Sequence, residues 1–292
     1  MSQPPFPLRK PSGLLVERAE RPLSASPRPF LRWAGSKRML LRQILDVLPA
    51  EYGTYREPFL GGGSLFFLLE PKTAVLSDAC EDLIATYEAI RDNAPAVLRH
   101  LSPLRPDREL FYEIRSNRSV GRLKRAAEFI YLNKTCWNGL YRVNAQGEFN
   151  VPYGAPRTDA IVDAENLRTC ATALRTPGVT LVSADFEDAL LDAESGDLVF
   201  LDPPYVTGHN NNGFVDYNEL LFSWSDQERV AQIANTLAAR GVHILVTNAF
   251  HDDVLALYGG FQVRPLHRRS TIASSASKRS TVTEALLWST SG

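Results

Sequence analysis

The tetrapeptide Asp202-Pro203-Pro204-Tyr205, set directly behind the apolar run Leu198-Val199-Phe200-Leu201, constrains the architecture of this chain more than any other stretch. Four consecutive apolar residues, introduced by the turn pair Ser195-Gly196, read as a short strand buried on both faces, as in a parallel α/β sheet. Such sheets bind ligands just beyond the carboxyl ends of their strands, and this strand ends there in a carboxylate. The two prolines have a fixed φ and no N–H to donate. The loop is therefore stiff, and the Pro203 carbonyl is left to accept a hydrogen bond beside the Asp202 carboxylate. Two acceptors next to the ring of Tyr205 make a site for a planar amine, and the exocyclic amino group of a nucleobase fits that description. The bland alternative is a Pro-Pro strand stop with an incidental Asp.

A second constellation favours the ligand site. Thr54-Tyr55-Arg56-Glu57-Pro58-Phe59 runs into Leu60-Gly61-Gly62-Gly63-Ser64 and then Leu65-Phe66-Phe67-Leu68-Leu69. Strand, glycine turn and apolar helix are the opening of a nucleotide-type βαβ unit, and glycines at Gly61 and Gly63 let the backbone pass close to a ligand. The next strand, Thr73 to Ser77, delivers Asp78 at its carboxyl end, placed to hold ribose hydroxyls. The spacing is neither GxGxxG nor a Walker loop, so dinucleotides and nucleoside triphosphates fit less well. Upstream, Phe30-Leu31-Arg32-Trp33-Ala34-Gly35-Ser36-Lys37-Arg38 leads into a helix predicted over Lys37 to Leu48, with Ser36 as its cap and Pro49 as its stop. Lys37 in a first helical turn opposes the helix dipole, which an anionic partner would relieve. Its bland reading is a solvated lysine, and that of Trp33 a core aromatic.

These blocks together resemble the Dam-type family of DNA adenine-N6 methyltransferases, the D12 class (alpha group), which use S-adenosylmethionine. The resemblance runs from Phe30 to about Trp288. It includes the middle stretch Phe129-Ile130-Tyr131-Leu132-Asn133-Lys134-Thr135-Cys136-Trp137-Asn138-Gly139-Leu140-Tyr141-Arg142 and then Gly147-Glu148-Phe149-Asn150-Val151-Pro152. The block order also matches: tryptophan–lysine block, glycine turn, recognition region, Asp-Pro-Pro-Tyr. The resemblance implies a Rossmann-like α/β methyltransferase fold, a mostly parallel seven-stranded sheet with an antiparallel edge hairpin. It also implies a mainly helical target-recognition insertion with its own β-hairpin. By the same resemblance Asp202, Pro203 and Tyr205 are catalytic, and Trp33, Lys37, Asp78 and Asp202 contact the cofactor. Phe59, Gly61 and Gly63 shape its pocket. Asp185, behind the strand Thr180 to Ser183, reaches the cofactor adenine or serves as an ordinary helix cap. Trp137, Asn138 and Arg142 match the DNA-reading region, where an aromatic wedge props the opened step and an Arg reads a base edge. Arg32 and Lys134 are further expected DNA contacts. Trp137 is bulkier than the ring the family carries there, which leaves the recognised sequence open.

The chemistry requires these residue types. An amine delocalised into a ring is a poor nucleophile, and acceptors at Asp202 and Pro203 favour localisation of its lone pair and stabilise the charge that develops on nitrogen. No metal is needed. The five histidines lack ligand spacing, and Cys80, Cys136 and Cys170 suggest reduced thiols rather than a disulfide frame or a zinc site. In related families Ser often replaces the Asp when cytosine is the target, so Asp202 points to adenine. Methylation of cytosine N4 or of structured RNA is the alternative. A DNA-binding protein on an inactive methyltransferase fold and a nicotinamide-dependent oxidoreductase fit the blocks less well.

Net charge is −1 over 292 residues, which favours a nucleic-acid partner only when charge is read locally. Arg115, Arg118, Arg122, Lys124, Arg125, Lys134 and Arg142 face Glu128 alone within their window, and Arg264, Arg268, Arg269, Lys278 and Arg279 form a second cluster. Both are expected to meet phosphates. The expected partner is double-stranded DNA, with the protein a monomer or a weak dimer on DNA. With no apolar run of membrane length, the expected setting is the bacterial cytoplasm, without a membrane. The expected organisation is a mobile Pro/Arg-rich tail over 1–29, a catalytic domain over 30–93 and 178–292, and a recognition domain over 94–177. Within the last, 141–151 reads as a hairpin around a Gly-containing turn. Late strands near Phe261 to Leu266 and Thr281 to Trp288 should close the sheet. The polar loop Gly208 to Gly213 reads as a linker or as a lid that orders on DNA.

Overall fold

Seven strands make one sheet in the computed structural model, which describes residues 26–33, 35, 37, 40–144, 146–206, 222–269 and 281–290. They are β1 Tyr55–Glu57, β2 Thr73–Asp78, β3 Gly178–Ser183, β4 Leu198–Leu201, β5 His243–Ala249, β6 Gln262–Arg269 and β7 Thr281–Trp288. Their order is β3-β2-β1-β4-β5-β7-β6. Five strands run parallel, and β7 inserts antiparallel between β5 and β6. The order reverses between β1 and β4, and the crevice at the carboxyl ends of those two strands is where an open α/β sheet takes its ligand. Pro265 is tolerated in β6 because that strand is an edge and pairs on one side only.

The apolar run of β4 packs in two directions. Leu198 and Phe200 join one core cluster with Tyr55, Leu76, Phe67 and Tyr87, whereas Val199 and Leu201 join another with Val246, Val230 and Leu287. Strand side chains alternate between faces, so a strand covered on both sides has no polar position to spare, and β4 is buried throughout.

Eight α-helices surround the sheet among the described residues: α1 Leu41–Leu45, α2 Ser64–Leu69, α3 Glu81–Leu101, α4 Arg108–Ser116, α5 Arg122–Thr135, α6 Ala164–Leu174, α7 Trp224–Ala239 and α8 Asp252–Ala256. Leu83, Ile84, Tyr87 and Ile90 form the buried face of α3, as their spacing predicts. That helix breaks at Asn93 (φ −152°, ψ 64°), two residues before Pro95. The Asn93 side chain accepts the Ala96 N–H at 3.1 Å and so caps the second segment.

Two expectations are corrected and one is met. Among the described residues, the helix predicted over Lys37 to Leu48 is the five residues of α1. Lys37 belongs to a preceding turn, its carbonyl accepting Leu40 N at 2.7 Å, because its side chain is drawn inward. The expected hairpin over 141–151 is present: an antiparallel bridge, Val143 to Phe149, closes it, supported by the Asn144–Glu148, Asn150–Arg142 and Gly147–Asn144 backbone bonds. At the amino end, the strap of residues 26–29 is held rather than trailing. Arg28 pairs with Asp163 at 2.7 Å, its N–H donates to Asn166 Oδ1, and its carbonyl accepts the Asn166 amide. Residues 1–25 of the expected tail, Ser36, the loop Gly208 to Gly213, Lys278 and Arg279 lie outside the described residues.

Candidate active site

Asp202 follows β4 at the crevice, and two donors converge on one of its oxygens. Lys37 Nζ lies 2.7 Å from Oδ1, and the Thr247 hydroxyl, from the adjacent strand β5, donates to the same Oδ1 at 2.7 Å. Among the described residues nothing engages Oδ2. Burial holds the Asp202 carboxyl above its usual range, while Lys37 and then Thr247 pull it back. Lys37 is 3 % exposed. Its ammonium also donates to the Gly35 carbonyl at 2.6 Å and lies 4.8 Å from the centre of the Tyr205 ring. Solvation of Lys37, the bland expectation, is therefore excluded.

The two prolines behave differently. The Pro204 carbonyl accepts Gln227 Nε2 at 2.6 Å, and Gln227 in turn takes Asn248 Nδ2 on its Oε1 at 2.9 Å. Both amides are fully buried. This relay from α7 and β5 fixes the loop downstream of Pro203, whose own carbonyl receives no donor among the described residues. The Tyr205 hydroxyl donates to Glu284 Oε2 at 2.7 Å. Burial, with Asp202 and Glu284 nearby, raises the phenol well above its ordinary range.

The neighbouring strand ends supply the rest. Asp78 closes β2 and accepts Gly61 N on Oδ2 and Cys80 N on Oδ1, each at 3.0 Å. Burial raises its carboxyl, against those two bonds. Gly61 has φ +46°, and a Cβ there would stand 2.6 Å from the Trp33 ring. Gly63, at φ +64°, provides the left-handed start of α2. Trp33 lies over this turn and stacks on Tyr141 at 5.6 Å and 19°. Phe59 stacks on Phe186 at 5.3 Å and 28°, with Phe222 edge-on. Asp185 is set apart: half-exposed, it accepts Glu187 N at 3.0 Å and pairs with Arg229 at 2.9 Å.

The expected DNA-reading residues gather on one loop. Trp137, Asn138 and Gly139 form a single 3₁₀ turn behind α5. Trp137 is 53 % exposed, and Asn138 has φ +54°. Buried Asn133 ties this turn to the Arg32 segment, accepting Arg32 N at 2.8 Å and donating to the Arg32 carbonyl at 2.6 Å. The same amide donates to the Gly139 carbonyl at 3.3 Å. Arg142 Nε donates to Asn150 Oδ1 at 2.6 Å. Burial, followed by Arg32 and Arg28, pushes the Lys134 ammonium down to about 8.

The arginines of the first basic cluster depart from expectation. Arg122 pairs with Asp92 at 2.8 Å, Arg125 with Asp82 at 3.0 Å, and Arg118 with Glu128 at 3.5 Å. Their acids lie mostly on α3, far upstream, so local charge counting misses them. Arg264 likewise lies 3.4 Å from Asp46. Five further site residues escaped sequence reasoning: Thr247, Asn248, Gln227, Glu284 and Glu57. A lone acid inside the apolar strand Thr281–Trp288 is the signal that marks Glu284. Glu57, pushed up to about 8 by burial and held by the Tyr55 hydroxyl at 2.7 Å, ends β1 beside both carboxylates.

This strand order, with a glycine turn after β1 and acids ending β2 and following β4, defines a Rossmann-like methyltransferase fold. The chain belongs to the D12 class N6 adenine-specific DNA methyltransferases, whose family model matches residues 33–272. It is 34 % identical over 268 residues to the Type II methyltransferase M1.LlaDCHI of Lactococcus lactis subsp. cremoris, covering 89 % of this chain and 94 % of that one. It is 36 % identical over 278 residues to the Type II methyltransferase M.MjaIII of Methanocaldococcus jannaschii (86 % and 95 %). A DNA adenine methylase of Escherichia coli K12 is 32 % identical over 267 residues (89 % and 94 %).

Proposed function

We propose that the protein is a site-specific DNA methyltransferase acting on N6 of an adenine turned out of the duplex. One observation carries this reading: both protein donors to Asp202 fall on Oδ1, which leaves Oδ2 and the Pro203 carbonyl, neither with a donor among the described residues, to serve as paired acceptors. An exocyclic amine carries two hydrogens and matches that pair. Accepting them draws the nitrogen lone pair out of the ring and stabilises positive charge as it forms. Lys37 and Thr247 hold the carboxylate in place, and the Gln227–Asn248 relay holds the loop, so positioning is complete before the base arrives. Tyr205 offers its ring for stacking, worth roughly 1–3 kcal/mol per base by analogy with single-strand binding. That offsets much of the few kcal/mol needed to unstack a nucleotide.

The crevice also fits S-adenosylmethionine, the methyl donor that the family and fold imply. A Cβ at Gly61 would fill the space against Trp33, Asp78 is assigned to accept from ribose hydroxyls, and the Asp202 carboxylate answers a cationic ligand. Trp33, Lys37, Phe59, Gly61, Gly63, Asp78 and Asp202 are the residues assigned to hold it, with Asp185 at the outer edge. When bound, the cofactor supplies an electrophilic methyl group. Residues 94–177 supply recognition, with Trp137 as wedge, Asn138 and Arg142 toward the bases, and Arg32 and Lys134 toward phosphate. The Type II names of two relatives support a role as the modification half of a restriction–modification pair. Among the described residues no helix is long and apolar enough to cross a membrane, and we assign the enzyme to the cytoplasm as a monomer that can pair weakly on DNA. Labelled-methyl transfer to duplex DNA followed by nucleoside analysis is the test. N6-methyladenine is expected, and N4-methylcytosine or labelled RNA alone would refute the assignment.

A further inference from the structure

We infer that Glu284, on the antiparallel strand β7, is a positioning residue that sets both the orientation of Tyr205 and the charge left on Asp202. The inference rests on the proposed adenine chemistry and goes beyond it. Glu284 is 1 % exposed. Its Oε2 accepts the Tyr205 hydroxyl at 2.7 Å and lies 3.7 Å from Lys37 Nζ, the ammonium that stands 2.7 Å from Asp202 Oδ1. One lysine thus faces two carboxylates. Asp202 alone with Lys37 would be a neutral pair with little field to offer an amine gaining positive charge. The second carboxylate leaves the cluster one negative charge in excess, in a buried place where Coulomb interactions are poorly screened.

Two variants separate this role from mere packing. Glu284→Gln keeps the shape and an oxygen for Tyr205 but removes the charge. Tyr205→Phe keeps the ring and the charge but takes one partner from Glu284, whose carboxylate then draws more strongly on Lys37. The charged and titratable groups facing Asp202 are Lys37, Glu284, Tyr205 and, from β1, Glu57 and Tyr55. Asp202 must be ionised to accept the amine, so its protonation makes the acid limb of the kcat/KM profile. Losing the Glu284 charge lets that carboxyl ionise more easily, and the limb moves to lower pH. Losing the Tyr205 hydroxyl pulls Lys37 toward Glu284, and the limb moves to higher pH.

The experiment measures methyl transfer to duplex DNA across pH for wild type and both variants, with melting and S-adenosylhomocysteine calorimetry to verify folding. The expected result is a fall in kcat on the order of tenfold for Glu284→Gln, the equivalent of one pK unit of differential interaction. KM for DNA should be nearly unchanged, and the limb shifts should be opposite in the two variants. Unmoved limbs, or shifts in the same direction, overturn the inference; if Glu284→Gln fails to fold, an unmoved limb in Tyr205→Phe does so alone. Failure of the broader reading looks different, because the wild type itself would then leave no N6-methyladenine.

Discussion

On the recognition face proposed above some basic residues are already paired with acids, and salt dependence exposes which cations meet DNA. Arg32 is exposed, with its backbone pinned by Asn133, so Arg32→Ala removes the guanidinium without loosening the segment. Lys134→Met keeps the buried stem and removes the ammonium. Arg122→Ala removes a cation already paired with Asp92 at 2.8 Å. Each phosphate neutralised contributes about −0.9 to the slope of log K against log salt. Between 50 and 200 mM salt, a fourfold change, one contact therefore accounts for about 3.5-fold in affinity and two for about 12-fold. Arg32→Ala and Lys134→Met should each flatten the slope by about 0.9, whereas Arg122→Ala should leave it unchanged. A pH effect accompanies Lys134. Burial holds its ammonium down to about 8 in the free protein, and a phosphate favours the charged form. Binding therefore takes up a proton, and affinity falls as pH rises through that value; Lys134→Met abolishes the trend. Fluorescence anisotropy on a short duplex, titrated with salt at two pH values, reads both quantities. An Arg122→Ala slope as flat as that of Arg32→Ala would refute the reasoning, because the Asp92 pair would then be no pair in solution.

Asp202→Ala should reduce methyl transfer to below a few per cent of wild type while the fold is kept, because Glu284, 3.7 Å from Lys37 Nζ, still faces the buried ammonium; turnover with saturating cofactor and thermal melting check the two effects. Asp78→Ala should weaken S-adenosylhomocysteine binding more than DNA binding, measured by calorimetry, and equal losses would make its role structural. Gly61→Ala should cost about 1–2 kcal/mol for a left-handed non-glycine residue before Trp33 is displaced, so cofactor affinity should fall at least tenfold in the same calorimetric assay. Arg142→Ala should relax preference at one base pair, worth roughly 1–3 kcal/mol of discrimination; methylation profiled over single-base variants of the cognate site decides, and uniform slowing of all variants would make Arg142 a phosphate clamp.

How far the site was legible depends on how local its parts are. The Gly61–Gly63 turn, Asp78 and Asp202 lie at the ends of strands whose apolar runs announce themselves, so sequence position alone places them in one crevice. The late strands are also readable, because Thr281–Trp288 ends in the apolar run Ala285-Leu286-Leu287-Trp288 and pairs antiparallel with Gln262–Arg269. Less visible are interactions that close over long separations. Tyr205 and Glu284 are 79 residues apart, Asp202 and Thr247 are 45 apart, and Arg125 and Asp82 are 43 apart. A window of neighbouring residues shows the helical arginines as surplus charge, although α3 neutralises them. It shows Lys37 as the start of a helix, although a carboxylate from the middle of the sheet pulls it inward. In both cases one physical rule was available from sequence and its partner was not: a charge that leaves water must find its opposite. The same rule runs in the other direction for Glu284. A carboxylate in the middle of Val282-Thr283-Glu284-Ala285-Leu286-Leu287 has no reason to be there unless the fold brings it a donor and a cation. β7 is the strand that does so, because its antiparallel insertion beside β5 carries residue 284 to the carboxyl end of the parallel strands, level with Ala249. The antiparallel strand thus does more than complete the sheet: it brings a second acid to Lys37, from the part of the chain farthest in sequence from the glycine turn.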